Sequence, residues 1–219
     1  VDILGPDHHG YIERLKGMAA ALGYPGRLEV AIAQQVALVR GGEQIGMSKR
    51  AGEIVTLDEI LDEVGVDAAR FFFIMLAVES PLTFDVRLAL ERENENPVYY
   101  VQYGHARIAS VLRRADAGEV DAARTASLAP LDHRAELALA RRLAEFPNVV
   151  AGVAEHLAPH RLARYARDVA SDFHQFYTEC RILDDDRAVR LARLALSVAA
   201  KGVLARTLAL AGVSAPDSM

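Results

Sequence analysis

Apolar positions along the chain change their rhythm about a third of the way in. Val1–Leu4 is a short apolar run broken by Gly5-Pro6. In His9–Leu22, residues Ile12, Leu15, Ala19 and Leu22 recur on one helical face, and Gly23 ends the segment. Leu28–Ala33 is a second apolar run. Strand, helix and strand in that order predict a βαβ unit with a parallel sheet. Such a sheet needs more strands, and the expectation is that they lie upstream of Val1 in a longer protein. Val36–Arg40, Gly41-Gly42 and Glu43–Gly46 predict a hairpin. Thr56 with Glu59 matches a capping box that opens a helix. Beyond it strands become scarce: Val66–Val78, Asp85–Glu93 and Pro97–Ala115 all read as helices. Residues 115–132 are poor in large apolar side chains and read as a loop. Helix returns at His133–Phe146, with Pro147 as its stop. Asn148–Leu157, Arg161–Cys180 and Asp186–Ala211 follow, and Ala211–Met219 reads as a tail. On Arg161–Cys180, residues Leu162, Tyr165, Val169, Phe173, Phe176 and Cys180 form a wide apolar face. The expected fold is mainly α: a truncated parallel α/β sheet in residues 1–55, a helical connector in 56–95, and an all-helical bundle in 96–219.

The 219 residues are 52% hydrophobic, enough to build a core, and carry no apolar run long enough for a membrane helix. The single cysteine, Cys180, excludes an internal disulfide framework and fits a reducing, cytoplasmic setting. A net charge of −5 argues on average against a nucleic-acid partner. The average hides a split. Residues 1–95 hold 9 basic against 16 acidic side chains, whereas residues 96–219 hold 16 against 14. Arginine supplies 22 of the 25 basic residues, and its planar fork suits phosphates and stacked bases. An arginine-rich genome would give the same bias.

Three clusters could carry chemistry. Lys49 stands in Met47-Ser48-Lys49-Arg50, flanked by Gly46 and Gly52. A mobile cation beside the Ser48 hydroxyl suits a phosphate whose charge must be neutralised; a solvated surface loop would look the same. Asp7 and His8 follow the first strand, where ligands bind in open α/β sheets. They could meet ribose hydroxyls and a phosphate or base, or belong to a zinc site lacking its remaining ligands, or form a polar turn. Tyr100, Tyr103, Arg107 and Arg114 fall within about 60° of one another on one helix. Val101, His105, Ile108 and Leu112 form an adjacent core stripe, so His105 reads as a core histidine. Aromatic rings with arginine are how proteins hold splayed bases; tyrosines at a core edge give the same pattern. Tyr177 and His174 could face the same groove. The acidic stretch 183–187 reads as a turn with a helix N-cap.

Five stretches in order resemble bacterial-type arginyl-tRNA synthetases, members of class I. They are Leu4-Gly5-Pro6-Asp7-His8-His9-Gly10-Tyr11, Gly46–Gly52, Val66-Asp67-Ala68-Ala69-Arg70-Phe71-Phe72-Phe73, the segment Asn96–Arg107, and Ala215-Pro216-Asp217-Ser218-Met219. The resemblance implies a remnant of a Rossmann-type catalytic domain followed by an anticodon-binding bundle. It implies arginine, ATP and an arginine-accepting tRNA as substrates, with magnesium expected on the phosphates and no ligand for it identifiable. Met47-Ser48-Lys49-Arg50 resembles the second class I motif, which assigns Lys49 to the pyrophosphate leaving group and Met47 and Ser48 to ATP. The motif's first lysine is replaced here by Gly46. The resemblance places Asp7 and His8 at the adenylate pocket, and Tyr100, Tyr103, Arg107, Tyr177 and Met219 at the anticodon. The first class I motif is absent from this stretch, so the chain alone is expected not to activate arginine. A monomer with no membrane association is expected. A non-enzymatic tRNA-binding module, a cysteinyl enzyme and a helical scaffold are the alternatives.

Overall fold

The computed structural model describes residues 1–45 and 55–219. The polar loop with Met47, Ser48 and Lys49 lies outside the described residues. Strand β1 (Asp2–Leu4) pairs in parallel with β2 (Val30–Ile32), joined by a 3-10 turn at Pro6–Tyr11 and helix α1 (Ile12–Ala21). This is the βαβ unit that the apolar runs predict.

A second sheet has the order β4-β3-β5. Strand β3 (Val36–Arg40) turns through Gly41 and Gly42, both at positive φ, into β4 (Glu43–Gln44), as the hairpin pattern predicts. Strand β5 (Leu82–Asp85) corrects the sequence reading, which put Asp85 at the head of a helix and no strand beside it. Val36, Ala37, Leu38 and Val39 pair in parallel with Leu82, Thr83, Phe84 and Asp85. Four residues give too short a period to recognise, and Pro81 disguises the start. Asp85 does cap a helix, the short α4 (Val86–Leu90), where it accepts from the Arg87 and Leu88 amides. The Thr56–Glu59 capping box is formed and opens α2 (Leu57–Val64). Helix α3 (Val66–Phe73) then presents Phe72 and Phe73 to Phe84, ring centroids 5.4 and 5.3 Å apart.

The bundle begins at α5 (Pro97–Arg114). Asn96 caps it by accepting from the Val98 and Tyr99 amides, with Pro97 in the first turn. A short helix, α6 (Glu119–Ala123), interrupts the expected loop; Ala123 reaches the core while Arg190 holds Glu119. Helix α7 (Arg134–Ala144) is followed at once by α8 (Phe146–His156). Pro147 lies in the first turn of α8, where its missing N–H costs nothing, so it marks a helix start as well as a stop. Helix α9 (His160–Glu179) buries Leu162, Tyr165, Val169, Phe173 and Phe176, the face the sequence predicts, with Cys180 buried just beyond its end. Asp186 caps α10 (Arg187–Leu210). Sheet β3–β5, α2–α4 and the bundle share one continuous apolar core from Leu38 to Val213. Among the described residues no helix is long and apolar enough to cross a membrane.

Candidate nucleic-acid interface

Helices α5 and α9 pack side by side because Gly104 permits it. A β-carbon at Gly104 would sit 3.3 Å from the Ala170 β-carbon and 3.6 Å from His174 Nε2. That closeness brings aromatic residues of both helices together. Tyr99 and Tyr103 stack at 5.9 Å, and Tyr100 meets His174 edge-on at 4.9 Å. The Arg107 guanidinium lies 4.5 Å from the Tyr103 ring centre and 5.1 Å from that of Tyr177. Arg107 also donates to the Tyr103 hydroxyl at 2.6 Å, and it enters no ion pair among the described residues. Its charge is therefore held by π faces and one phenol, without a carboxylate to neutralise it.

The carboxy-terminal segment closes this groove. It is not a free tail. Asp67 of α3 accepts from the Ser214 amide at 3.0 Å and from the Ser214 hydroxyl. Gln102 of α5 donates to Asp67 at 2.8 Å and to the Ser214 carbonyl at 3.0 Å. His105 Nδ1 lies 2.8 Å from the Pro216 carbonyl, so His105 is a satisfied core histidine, as its helical position predicts. Arg113 donates to the Asp217 carbonyl, and Lys201 pairs with the Asp217 carboxylate at 2.8 Å. The Lys201 ammonium holds that carboxyl below its ordinary range. These contacts set Ser218 and Met219 over α5.

The result is a cavity of about 330 Å³ whose walls include Tyr103, Arg107, Arg114, Tyr177 and Met219. Four of the five residues expected at a nucleic acid thus converge: Tyr103, Arg107, Tyr177 and Met219. Tyr100 does not line this cavity. It faces a neighbouring one of about 550 Å³, with Arg164 and Arg167. The 100° step per residue groups Tyr100 with Tyr103, but the close approach of α9 divides the groove between them. His174, on the dividing wall, has a buried Nε2 with no hydrogen-bond partner among the described residues. Burial, aided by the Arg107 charge, pushes its pKa down to about 4, so it is a neutral ring at pH 7. Asp67, Gln102 and Ser214 are the residues that sequence reasoning missed. Asp67 and Ser214 are 147 positions apart, and no local pattern signals such a pairing.

Asp7 and His8 sit in the turn after β1, at the carboxyl end of the β1–β2 pair, and both are exposed. His8 Nε2 lies 3.8 Å from Asp7 Oδ2. No group of three or more metal-ligating side chains occurs among the described residues, so the turn completes no zinc site there. Lys49, Met47 and Ser48 lie outside the described residues, and their relation to Asp7 is not described.

Comparison with known proteins gives the family and the fold. Over the whole chain, 54% of residues are identical to the arginine–tRNA ligase of Moorella thermoacetica, of which the match covers 40%. A Campylobacter jejuni structure described as an arginyl-tRNA synthetase superposes with a TM-score of 0.85 at 30% identity, over 99% of this chain and 47% of that one. The Thermus thermophilus arginyl-tRNA synthetase gives 0.80 at 26% identity, over 99% and 40%. The chain thus spans about 40% of the length of the curated relatives it matches. The family model of the DALR anticodon binding domain matches residues 101–219, from α5 through the strap that closes the groove. With more than half of its length so matched, this chain belongs to the DALR anticodon binding domain family.

Proposed function

We propose that this chain is part of an arginine–tRNA ligase and that its α5–α9 groove reads the anticodon of the arginine-accepting tRNA. The observation that carries the reading is the convergence of Tyr103, Arg107, Tyr177 and Met219 on one cavity, with Arg107 in no ion pair among the described residues. A splayed base gains ring and guanidinium faces to stack on, and its sugar–phosphate gains a cation. Tyr100 belongs to the same RNA surface from the far side of His174.

The wider reading divides the chain near residues 55 and 95 into a catalytic portion, a connector and the anticodon bundle. In the parent reaction an arginine α-carboxylate oxygen attacks the α-phosphorus of ATP and pyrophosphate leaves. The terminal ribose hydroxyl of tRNA then takes the arginyl group from the adenylate. Lys49 neutralises the departing pyrophosphate, while Met47, Ser48, Asp7 and His8 contact ATP or the adenylate. Magnesium enters only as the companion of ATP. No group of three or more metal-ligating side chains occurs among the described residues, and magnesium on ATP is held chiefly by phosphates and water. A cytoplasmic monomer completes the reading.

The test is a titration of the 219-residue chain with an arginine-accepting tRNA transcript and with transcripts carrying altered anticodon bases. The reading requires preference for the unaltered anticodon and loss of that preference in Tyr103→Ala. Equal affinity for all transcripts overturns it. For the catalytic part, Lys49→Ala in the intact enzyme is expected to slow adenylate formation with little change in tRNA binding; an unchanged activation rate removes Lys49 from that role.

A further inference from the structure

Five arginines of the bundle are held by a carboxylate at hydrogen-bond distance, and several others are not. Arg134, Arg142, Arg181, Arg190 and Arg193 each meet a carboxylate, at 3.1, 3.0, 2.9, 2.9 and 2.6 Å respectively. They tie helices together or brace a turn. Arg161, Arg164 and Arg167 do neither: all three are exposed and enter no ion pair among the described residues. They are spaced three residues apart on α9, so their backbone positions rise by about 4.5 Å and turn by about 60° at each step, and the Arg161 guanidinium lies against Gly152 of α8.

Their position relates them to the aromatic pocket. Helices α5 and α9 run in the same direction, since Pro97 and Ala163 line one cavity and Arg107 meets Tyr177 ten positions later on α5. The cavity on the far side of Tyr100 holds Arg164, Arg167, Asn94 and Ser171. From Arg167 to Tyr177 the helix rises about 15 Å, the reach of a few nucleotides. We propose that the first half of α9 is a phosphate-backbone subsite, in which Arg164 and Arg167, with Arg161 beyond them, hold the RNA strand that leaves the aromatic pocket. The proposal rests on the reading of that pocket as an RNA site.

Two carboxylates share this cavity. Asp168 faces Arg142 at 4.0 Å, which offsets its charge. Glu95 lies on the opposite wall and enters no ion pair among the described residues. A phosphate between the arginines and Glu95 would feel both signs, so Glu95 limits how tightly the strand is held.

The experiment follows binding of the 219-residue chain to the anticodon stem-loop by fluorescence anisotropy over a range of potassium chloride concentrations. Each phosphate neutralised on a single strand contributes about −0.7 to the slope of log K against log salt. The double variant Arg164→Gln/Arg167→Gln is expected to flatten that slope by about 1.4 and to weaken binding by about an order of magnitude. It keeps the preference for the unaltered anticodon. Glu95→Gln is expected to tighten binding about twofold at low salt only. Arg181→Gln, at an exposed residue already paired with Asp185, leaves the slope unchanged. An unchanged slope in the double variant, with wild-type anticodon preference intact, overturns the subsite alone. Loss of anticodon preference at unchanged slope also overturns it, because the arginines then act through the fold. If the wild-type chain shows no anticodon preference, both this proposal and the reading beneath it fall.

Discussion

Helices α1 and α9 are both amphipathic and differ in what their apolar faces meet. In α9 the apolar face packs among α5, α7 and α10, and Val169, Phe173 and Phe176 are fully enclosed. In α1 no residue is buried, and the first buried side chain of the whole chain is Leu38. Ile3 of β1 is 64% exposed and Leu22 at the end of α1 is 69% exposed. The physical reason is the number of layers. Among the described residues of this 219-residue chain the two three-residue strands and one helix have no second layer against them, whereas α9 is packed among several helices. Periodicity therefore specifies an element, and the neighbours specify whether it carries stability.

Truncation of a side chain should sharpen this contrast most. Phe173→Ala removes a fully enclosed ring and is expected to cost about 3–5 kcal/mol in urea unfolding. In the same 219-residue chain Ile3→Ala removes an exposed side chain and is expected to cost less than about 0.5 kcal/mol. Equal losses would break the comparison. The next effect is electrostatic. Glu136 is fully buried and accepts from the Asp132 and His133 amides at 3.0 and 2.9 Å and from Arg193 at 2.6 Å. Glu136→Ala orphans all three donors and should cost about 3 kcal/mol. A cost near zero would mean that apolar packing alone holds α7 to α10. Smaller again is the strap. Asp67→Ala removes the acceptor of Ser214 and Gln102, and about 1–2 kcal/mol is expected. Because the strap seats Met219, tRNA affinity should fall as well; stability lost with affinity intact would separate the strap from the groove.

Legibility in the sequence follows the same division. The apolar face of α9, the hairpin at Gly41-Gly42 and the Thr56–Glu59 cap are local signals, and each has its expected structure. Tyr103 and Arg107 were legible because they are one helical turn apart. Tyr177 could face that groove from its own helix, Met219 is implied only by the family resemblance, and the structure brings both to the same cavity. Strand β5 was hidden because its identity depends on β3, more than forty residues away. Asp67 and Ser214 were hidden for the same reason. The split between Tyr100 and Tyr103 depends on the approach of Ala170 to Gly104, a property of two helices that neither sequence segment contains.

A pH-dependent effect concerns the wall between the two cavities. His174 titrates at about 4 in the folded chain against an ordinary value of 6.5. Between those values the unfolded chain binds a proton that the folded chain excludes, so stability falls as pH falls through that window. Above pH 6.5 the group contributes no pH dependence. At pH 5 the loss should be about 1–2 kcal/mol, allowing for partial exposure of the ring. The carboxylates of Glu119, Glu179, Asp184 and Asp217, held below their ordinary range by Arg and Lys partners or a backbone amide, act only at lower pH. Urea midpoints at pH 7 and pH 5 should therefore differ in the wild-type chain and converge in His174→Phe, which keeps a ring against Tyr100. Replacing a nitrogen that has no partner by carbon should cost little at pH 7. A wild-type midpoint unchanged between pH 7 and pH 5 would mean that His174 accepts its proton in place, and the α5–α9 wall would then carry a charge beside Arg107 in mild acid.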